Sequence, residues 1–146
     1  MSVWARAALL ALGLAAAGCS ENTERDRMTL LRVVGTDQEV SRALHRADEL
    51  VGKGKIAEAS DVLAKDARPK VELAAAELAA NEPESKWGKA RAVDVRAVLT
   101  ARRTSIDAYA QALTSDDVQK VIDALEAQKP VEARAMAVAQ AVRSGP

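Results

Sequence analysis

Apolar residues return at helical spacing through almost the whole chain, and three short stretches alone interrupt them. From about Glu24 to Val51, the positions Leu30, Val33, Val40, Leu44, Ala47 and Val51 stand three, four or seven residues apart. Ile56, Ala59, Leu63, Ala67, Val71, Ala74 and Leu78 repeat the pattern from about Lys55 to Ala80. Trp87, Val95, Val98, Leu99, Ile106, Tyr109 and Leu113 carry it over about Ser85 to Leu113. Val118, Val121, Leu125, Gln128, Val131, Ala135, Val138 and Val142 carry it to about Arg143. Such spacing gathers each set into one stripe on an α-helix. The residue supply agrees, since Phe is absent and aromatics are 2% while 49% of residues are hydrophobic, so Ala, Val and Leu must build the core. Ala is the best helix former, and the strand formers Tyr, Phe and Ile are scarce.

The breaks are Gly52-Lys53-Gly54, Asn81-Glu82-Pro83-Glu84-Ser85 and Thr114-Ser115-Asp116-Asp117. Loops this short between four helices of about 40 Å predict an all-α fold, an antiparallel up-down four-helix bundle. It occupies residues 24–143, with residues 144–146 as a tail. The expected core includes Leu30, Leu44, Leu63, Leu78, Leu99, Ile106, Leu125 and Val138. Three soft points are visible. Gly35 precedes Thr36-Asp37-Gln38-Glu39, a capping box at which helix one could restart, although one unbroken helix is the preferred reading. Pro69 predicts a kink or brief interruption near Asp66 to Arg68, and Pro130 lies at the same depth in helix four, which would put two kinks at one level. Thr114 or Ser115 is the expected N-cap of helix four.

Residues 1–18 hold one positive charge, Arg6, then the apolar run Ala7 to Leu14, then Ala15-Ala16-Ala17-Gly18 before Cys19, the sole cysteine. This order resembles the signal peptide and lipobox of bacterial lipoproteins. The resemblance implies cleavage between Gly18 and Cys19, and a lipid anchor on Cys19 carrying fatty acyl chains of the palmitate class. It also implies a cell-envelope address; Ser20 after the cysteine favours the periplasmic face of the outer membrane in a Gram-negative cell. The apolar run is too short for a permanent membrane span. Residues 19–23 would then be a short tether. A second resemblance is narrower: Gly52-Lys53-Gly54-Lys55-Ile56-Ala57-Glu58-Ala59 is similar to the turn and second helix of a tetratricopeptide repeat. No second copy follows, so the segment reads as a close-packed helical hairpin.

Charge and residue inventory exclude several functions. Lys and Arg number 21 against 21 Asp and Glu, and loss of Arg6 with residues 1–18 leaves 20 against 21, intermixed along every segment. No basic face is available for nucleic acid. One histidine, His45, and one acylated cysteine supply no zinc or haem ligand set, and His45 and Met136 would stand about 20 Å apart in the bundle. His45 reads as a surface residue. No Glu-x-x-His pair and no Gly-x-Ser-x-Gly turn occurs, so neither an enzyme nor a cofactor is expected. Following the chain up and down places Trp87 at the membrane-proximal end with Lys86, Lys89 and Arg91, a grouping suited to lipid contact; the competing reading is that Trp87 plugs the bundle end. The functional expectation is a membrane-anchored, non-catalytic interaction or structural module for an unidentified envelope protein. The alternative is a ligand carrier or enzyme using a cavity between the kinked helices two and four.

Overall fold

The computed structural model describes the backbone of residues 3–115 and 117–146 and the side chains of residues 22–115 and 117–146. The elements in chain order are α1 (Val3–Gly52), α2 (Ile56–Val62), a π-helical turn (Leu63–Ala67), α3 (Arg68–Ala80), α4 (Lys86–Thr114) and α5 (Val118–Ser144). α2, the π turn and α3 form one continuous rod, so the chain is an antiparallel four-helix bundle, and no strand occurs among the described residues. The α1–α2 turn closes through Gly54, whose φ of 73° lies in the left-handed region open to glycine. Its amide reaches the Val51 carbonyl, and the Lys55 amide reaches the Leu50 carbonyl, each at 2.9 Å.

α1 passes through Gly35 without a break. The Thr36 hydroxyl donates to the Arg32 carbonyl one turn earlier, so it serves the helix interior and caps nothing. The expected interruption before Pro69 takes a definite form: the Arg68 amide donates to the Leu63 carbonyl five residues back, the signature of a π turn. Pro69 thereby falls in the first turn of α3, where a missing N–H costs little. α5, in contrast, runs on as α-helix past Pro130, so helix four carries no matching interruption.

The N-cap of α5 differs from expectation. Asp117, not Thr114 or Ser115, caps it, accepting the Gln119 and Lys120 amides. Both hydroxyls face the other way: Ser115 Oγ donates to the Ala112 carbonyl and Thr114 Oγ1 to the Gln111 carbonyl, which satisfies the last orphan carbonyls of α4. Asp117→Ala should therefore destabilise the bundle by about 1 kcal/mol, and Ser115→Ala by less, in urea unfolding followed by circular dichroism.

α1 packs on every other element, whereas among the described residues α5 touches only α1 and α4. The core falls into two clusters along the axis. One, at the end nearer residue 22, holds Leu30, Val33, Leu78, Leu99 and Val142; the other holds Val40, Leu63, Val71, Ile106 and Tyr109. Of the expected core, Leu30, Leu44, Leu63, Leu78, Leu99 and Ile106 are buried. Leu125 and Val138 are only half-buried, because α5 has neighbours on two sides instead of three. Ala43, Ala47, Ala59, Ala67, Ala74, Ala92 and Ala139 fill the seams.

Candidate functional site

The end of the bundle nearest residue 22 is closed by a carboxylate clasp. Asp26, buried on α1, accepts the Glu84 amide at 3.0 Å and the Ser85 amide at 2.7 Å through Oδ2. Ser85 in turn caps α4 by accepting the Gly88 amide at 2.9 Å. α4 comes this close because residue 88 has no side chain: a Cβ there would lie 2.5 Å from Asp26 Oδ2. Burial alone would raise the Asp26 carboxyl, but the Ser85 side chain and amide, the Glu84 amide and Arg25 together hold it below the ordinary carboxylate range.

Trp87 stands on this end. It is half-buried against the cluster of Leu30 and Leu78, and it lines a cavity of about 640 Å³ with Asn22, Thr23, Lys86 and Pro146. Trp87 is thus neither fully buried in the core nor fully exposed. Lys86 and Lys89 are exposed and make no ion pair among the described residues. The neighbouring acids are already committed, Glu84 to Arg25 at 2.9 Å and Glu82 to Arg96. The proposed cleavage site at Gly18 and lipidation site at Cys19 lie outside the residues with described side chains.

Between the two apolar clusters lies a polar layer that the sequence reading missed. Arg102 of α4 is 1% exposed. Its Nε and Nη2 donate to Asp37 Oδ1 and Oδ2 of α1 at 3.0 and 3.2 Å, Nη2 also donates to Ser41 Oγ at 2.6 Å, and Nη1 donates to Glu132 Oε2 of α5 at 2.6 Å. Ser41 Oγ also lies 3.0 Å from Glu132 Oε2. Burial opposes the Arg102 charge, yet Asp37 and then Glu132 overcome it and hold the guanidinium protonated. One layer thus ties three helices. Its signal was present in the stripes: Asp37 falls between Val33 and Val40, and Arg102 between Leu99 and Ile106, at core spacing.

Because α5 leans on α4, an open groove remains between α5 and α1. Its main part, about 840 Å³, is lined by Ser41, Leu44, Asp48, Leu125, Gln128 and Glu132 among others. A second part of about 690 Å³ continues past Met136 toward Arg143. The concavity therefore lies between helices one and four and not between helices two and four; Pro69 has no part in it. Gln128 is 8% exposed and its buried Nε2 has no hydrogen-bond acceptor, while the Asp48 carboxyl and the Tyr109 phenol interact with one another below the surface. Burial pushes the Asp48 carboxyl up, and Tyr109 and His45 pull it partly back. Burial, followed by the Asp48 charge, drives the Tyr109 phenol far up, so it remains protonated. His45 is exposed on the rim, 3.4 Å from Glu49, as the sequence indicated.

No protein family, curated protein or solved structure matches this chain. Among the described residues, no three His, Cys, Asp or Glu side chains converge as metal ligands, and no helix is long and apolar enough to cross a membrane.

Proposed function

We propose that the chain is a lipid-anchored protein of the bacterial cell envelope, whose bundle is a non-catalytic interaction or structural module held against the membrane. The lipobox-like run Ala15 to Cys19 motivates the anchor. The observation that carries the reading is the makeup of the bundle end from which α1 runs back toward Cys19. There Trp87 is partly open, Glu82 and Glu84 are neutralised by arginines, and Lys86 and Lys89 are left over. Both lysines sit in the first turn of α4, where the helix dipole disfavours cations, so helix stability does not account for them. An anionic lipid surface does, with the indole at headgroup depth. The partner in this reading is the membrane through acylated Cys19, together with an envelope protein engaged on the outward faces. The periplasmic face of the outer membrane is the address favoured by Ser20.

The test is Cys19→Ala. One acyl chain holds a protein only marginally and two hold it stably, at about 0.8 kcal/mol per buried methylene. The unsubstituted protein should incorporate radiolabelled palmitate and sediment with membranes. The variant should incorporate none and, because cleavage before residue 19 is blocked as well, should carry residues 1–18 in place of the lipid. An unchanged membrane fraction and mass would reject the anchor. Lys86→Gln with Lys89→Gln should leave the anchor intact while abolishing the blue shift of Trp87 fluorescence on anionic vesicles. Trp4 falls within the segment removed by cleavage, so the mature protein reports from Trp87 alone.

A further inference from the structure

α5 packs on α1 and α4 alone among the described residues, and its free side carries three of the seven large apolar side chains left exposed there, Val118, Ile122 and Met136. At about 100° per residue, Val118, Ile122, Lys129, Ala133 and Met136 fall within about 60° of one another, one strip along the helix. The charges beside that strip are arranged about a centre. Glu126 and Lys129, which pair with one another on the surface at 2.6 Å, straddle one point of α5, and Arg42 and Glu49 straddle one point of α1. The Ser41–Glu132 contact at 3.0 Å sets the register of the two helices. Both points lie about 7 Å beyond it toward the far end of the bundle, at about 1.5 Å per residue.

We propose that the α1–α5 face binds a second copy of the chain, the two bundles lying antiparallel with α5 on α5 and α1 on α1. One two-fold axis through the shared centre, at right angles to the helices, brings Glu126 of each copy to Lys129 of the other and Arg42 of each to Glu49 of the other. Arg42 has no ion pair among the described residues, and Glu49 meets His45 at 3.4 Å, a pair that exists only while His45 is protonated. The same axis sets bulk against space, Ile122 opposite Ala133 and Val118 opposite Met136 and Ala137, all of them exposed in one copy. A symmetric pair needs a surface complementary to itself, which opposite charges at equal distances from one axis supply. The size also suits, since two helices side by side offer a face about 40 Å long and about 20 Å wide, close to the roughly 800 Å² that each partner gives to a standard stable interface. The pairing does not rest on the lipid anchor. With the anchor in place, the ends of α1 that lead to Cys19 lie at opposite ends of the dimer, so the copies that pair are those on apposed membrane surfaces.

The test is oxidative cross-linking of the full chain in a Cys19→Ala background, which has no other thiol and no anchor, so its outcome is separate from that of the lipid reading. Ile122→Cys combined with Ala133→Cys should give a disulfide-linked dimer, and either change alone at least about tenfold less of it. The two positions are about 16 Å apart on one helix, too far to bridge within a chain. In the same background without added cysteines, sedimentation equilibrium at micromolar concentration should give twice the mass of one chain. Ile122→Glu should weaken the dimer at least about tenfold and Glu126→Lys about fivefold, and adding Lys129→Glu to the latter should restore it. These positions are exposed, so the fold does not depend on them. A monomeric mass, cross-linking by Ile122→Cys alone as strong as by the pair, or no recovery in the charge-reversed variant would overturn the proposal.

Discussion

Replacing Arg102 by leucine should cost the bundle about 3–5 kcal/mol, the typical penalty for removing one partner of a buried ion pair and leaving the other uncompensated. Asp37, itself buried, would be left with no guanidinium against it, and Ser41 would lose its donor. In a protein of this size the loss corresponds to a fall in melting temperature of roughly 10–20 °C. A second variant separates charge from packing. Arg102→Leu combined with Asp37→Leu removes both buried charges, and such replacements are often neutral or stabilising by about 1–4 kcal/mol. Glu132 is 41% exposed, so water can take over its solvation in both variants. The double variant should therefore melt at or above the unsubstituted protein, whereas the single variant melts well below it. Equal melting of the single variant and the unsubstituted protein would show that the layer contributes nothing.

Gly88→Ala should be the most damaging single methyl in the protein, at about 2–4 kcal/mol from overpacking together with displaced hydrogen bonds. The new Cβ would push into Asp26, whose carboxylate would leave the Glu84 and Ser85 amides. Gly35→Ala and Gly52→Ala are the controls, since a Cβ at either meets nothing within 4 Å. The clasp also gives a pH dependence of known sign. Its folded carboxyl titrates below the ordinary value of 3.8. The stability it adds is therefore complete above the unfolded carboxyl's value of about 4 and falls away as pH drops through the lower folded value. Asp26→Asn should flatten that acid limb in urea unfolding measured from pH 5 downward. Asp48 has the opposite sign: its carboxyl is raised, so its charge costs stability above its folded value, and the cost disappears as pH falls through it.

The four stripes were legible because helical spacing and loop chemistry are local. Leu30, Leu44, Leu63, Leu78, Leu99 and Ile106 could be placed in the core without knowing which helix lay opposite. Leu125 and Val138 could not, since their exposure depends on α5 lacking a neighbour on the α2–α3 side, a matter of how the bundle is skewed. Arg, Asp and Glu are mostly exposed in folded proteins, which hides a buried polar layer from the sequence alone. Asp37 was assigned to a capping box, yet its position in the Val33–Val40 interval was the better guide. Gln128 was placed on the stripe of helix four, but its unpaired amide and the groove it lines emerge only when α1 and α5 are set side by side. Trp87, Lys86 and Lys89 were brought to one end by topology alone, and the neutralisation of Glu82 and Glu84 needed the arginine side chains to be seen.

The wide turn at Leu63–Ala67 bears on how this gene can change. Ala59, Leu63, Ala67 and Val71 are all buried at steps of four residues. In an ordinary α-helix each such step overshoots a full turn by about 40°, and three of them would carry Val71 about 120° off the core face. The π turn absorbs that excess by winding more residues into the same rotation. It is in effect one surplus residue stored inside a helix. Loss of a single codon between Ala64 and Asp66 would tighten the segment to ordinary α-helix and leave both flanks facing inward. The same loss in the middle of α4 would swing Ile106 and Tyr109 about 100° away from their partners. Chain length and helix phase are thus uncoupled at one place in this bundle, and lineages that differ in length by a residue should differ there first.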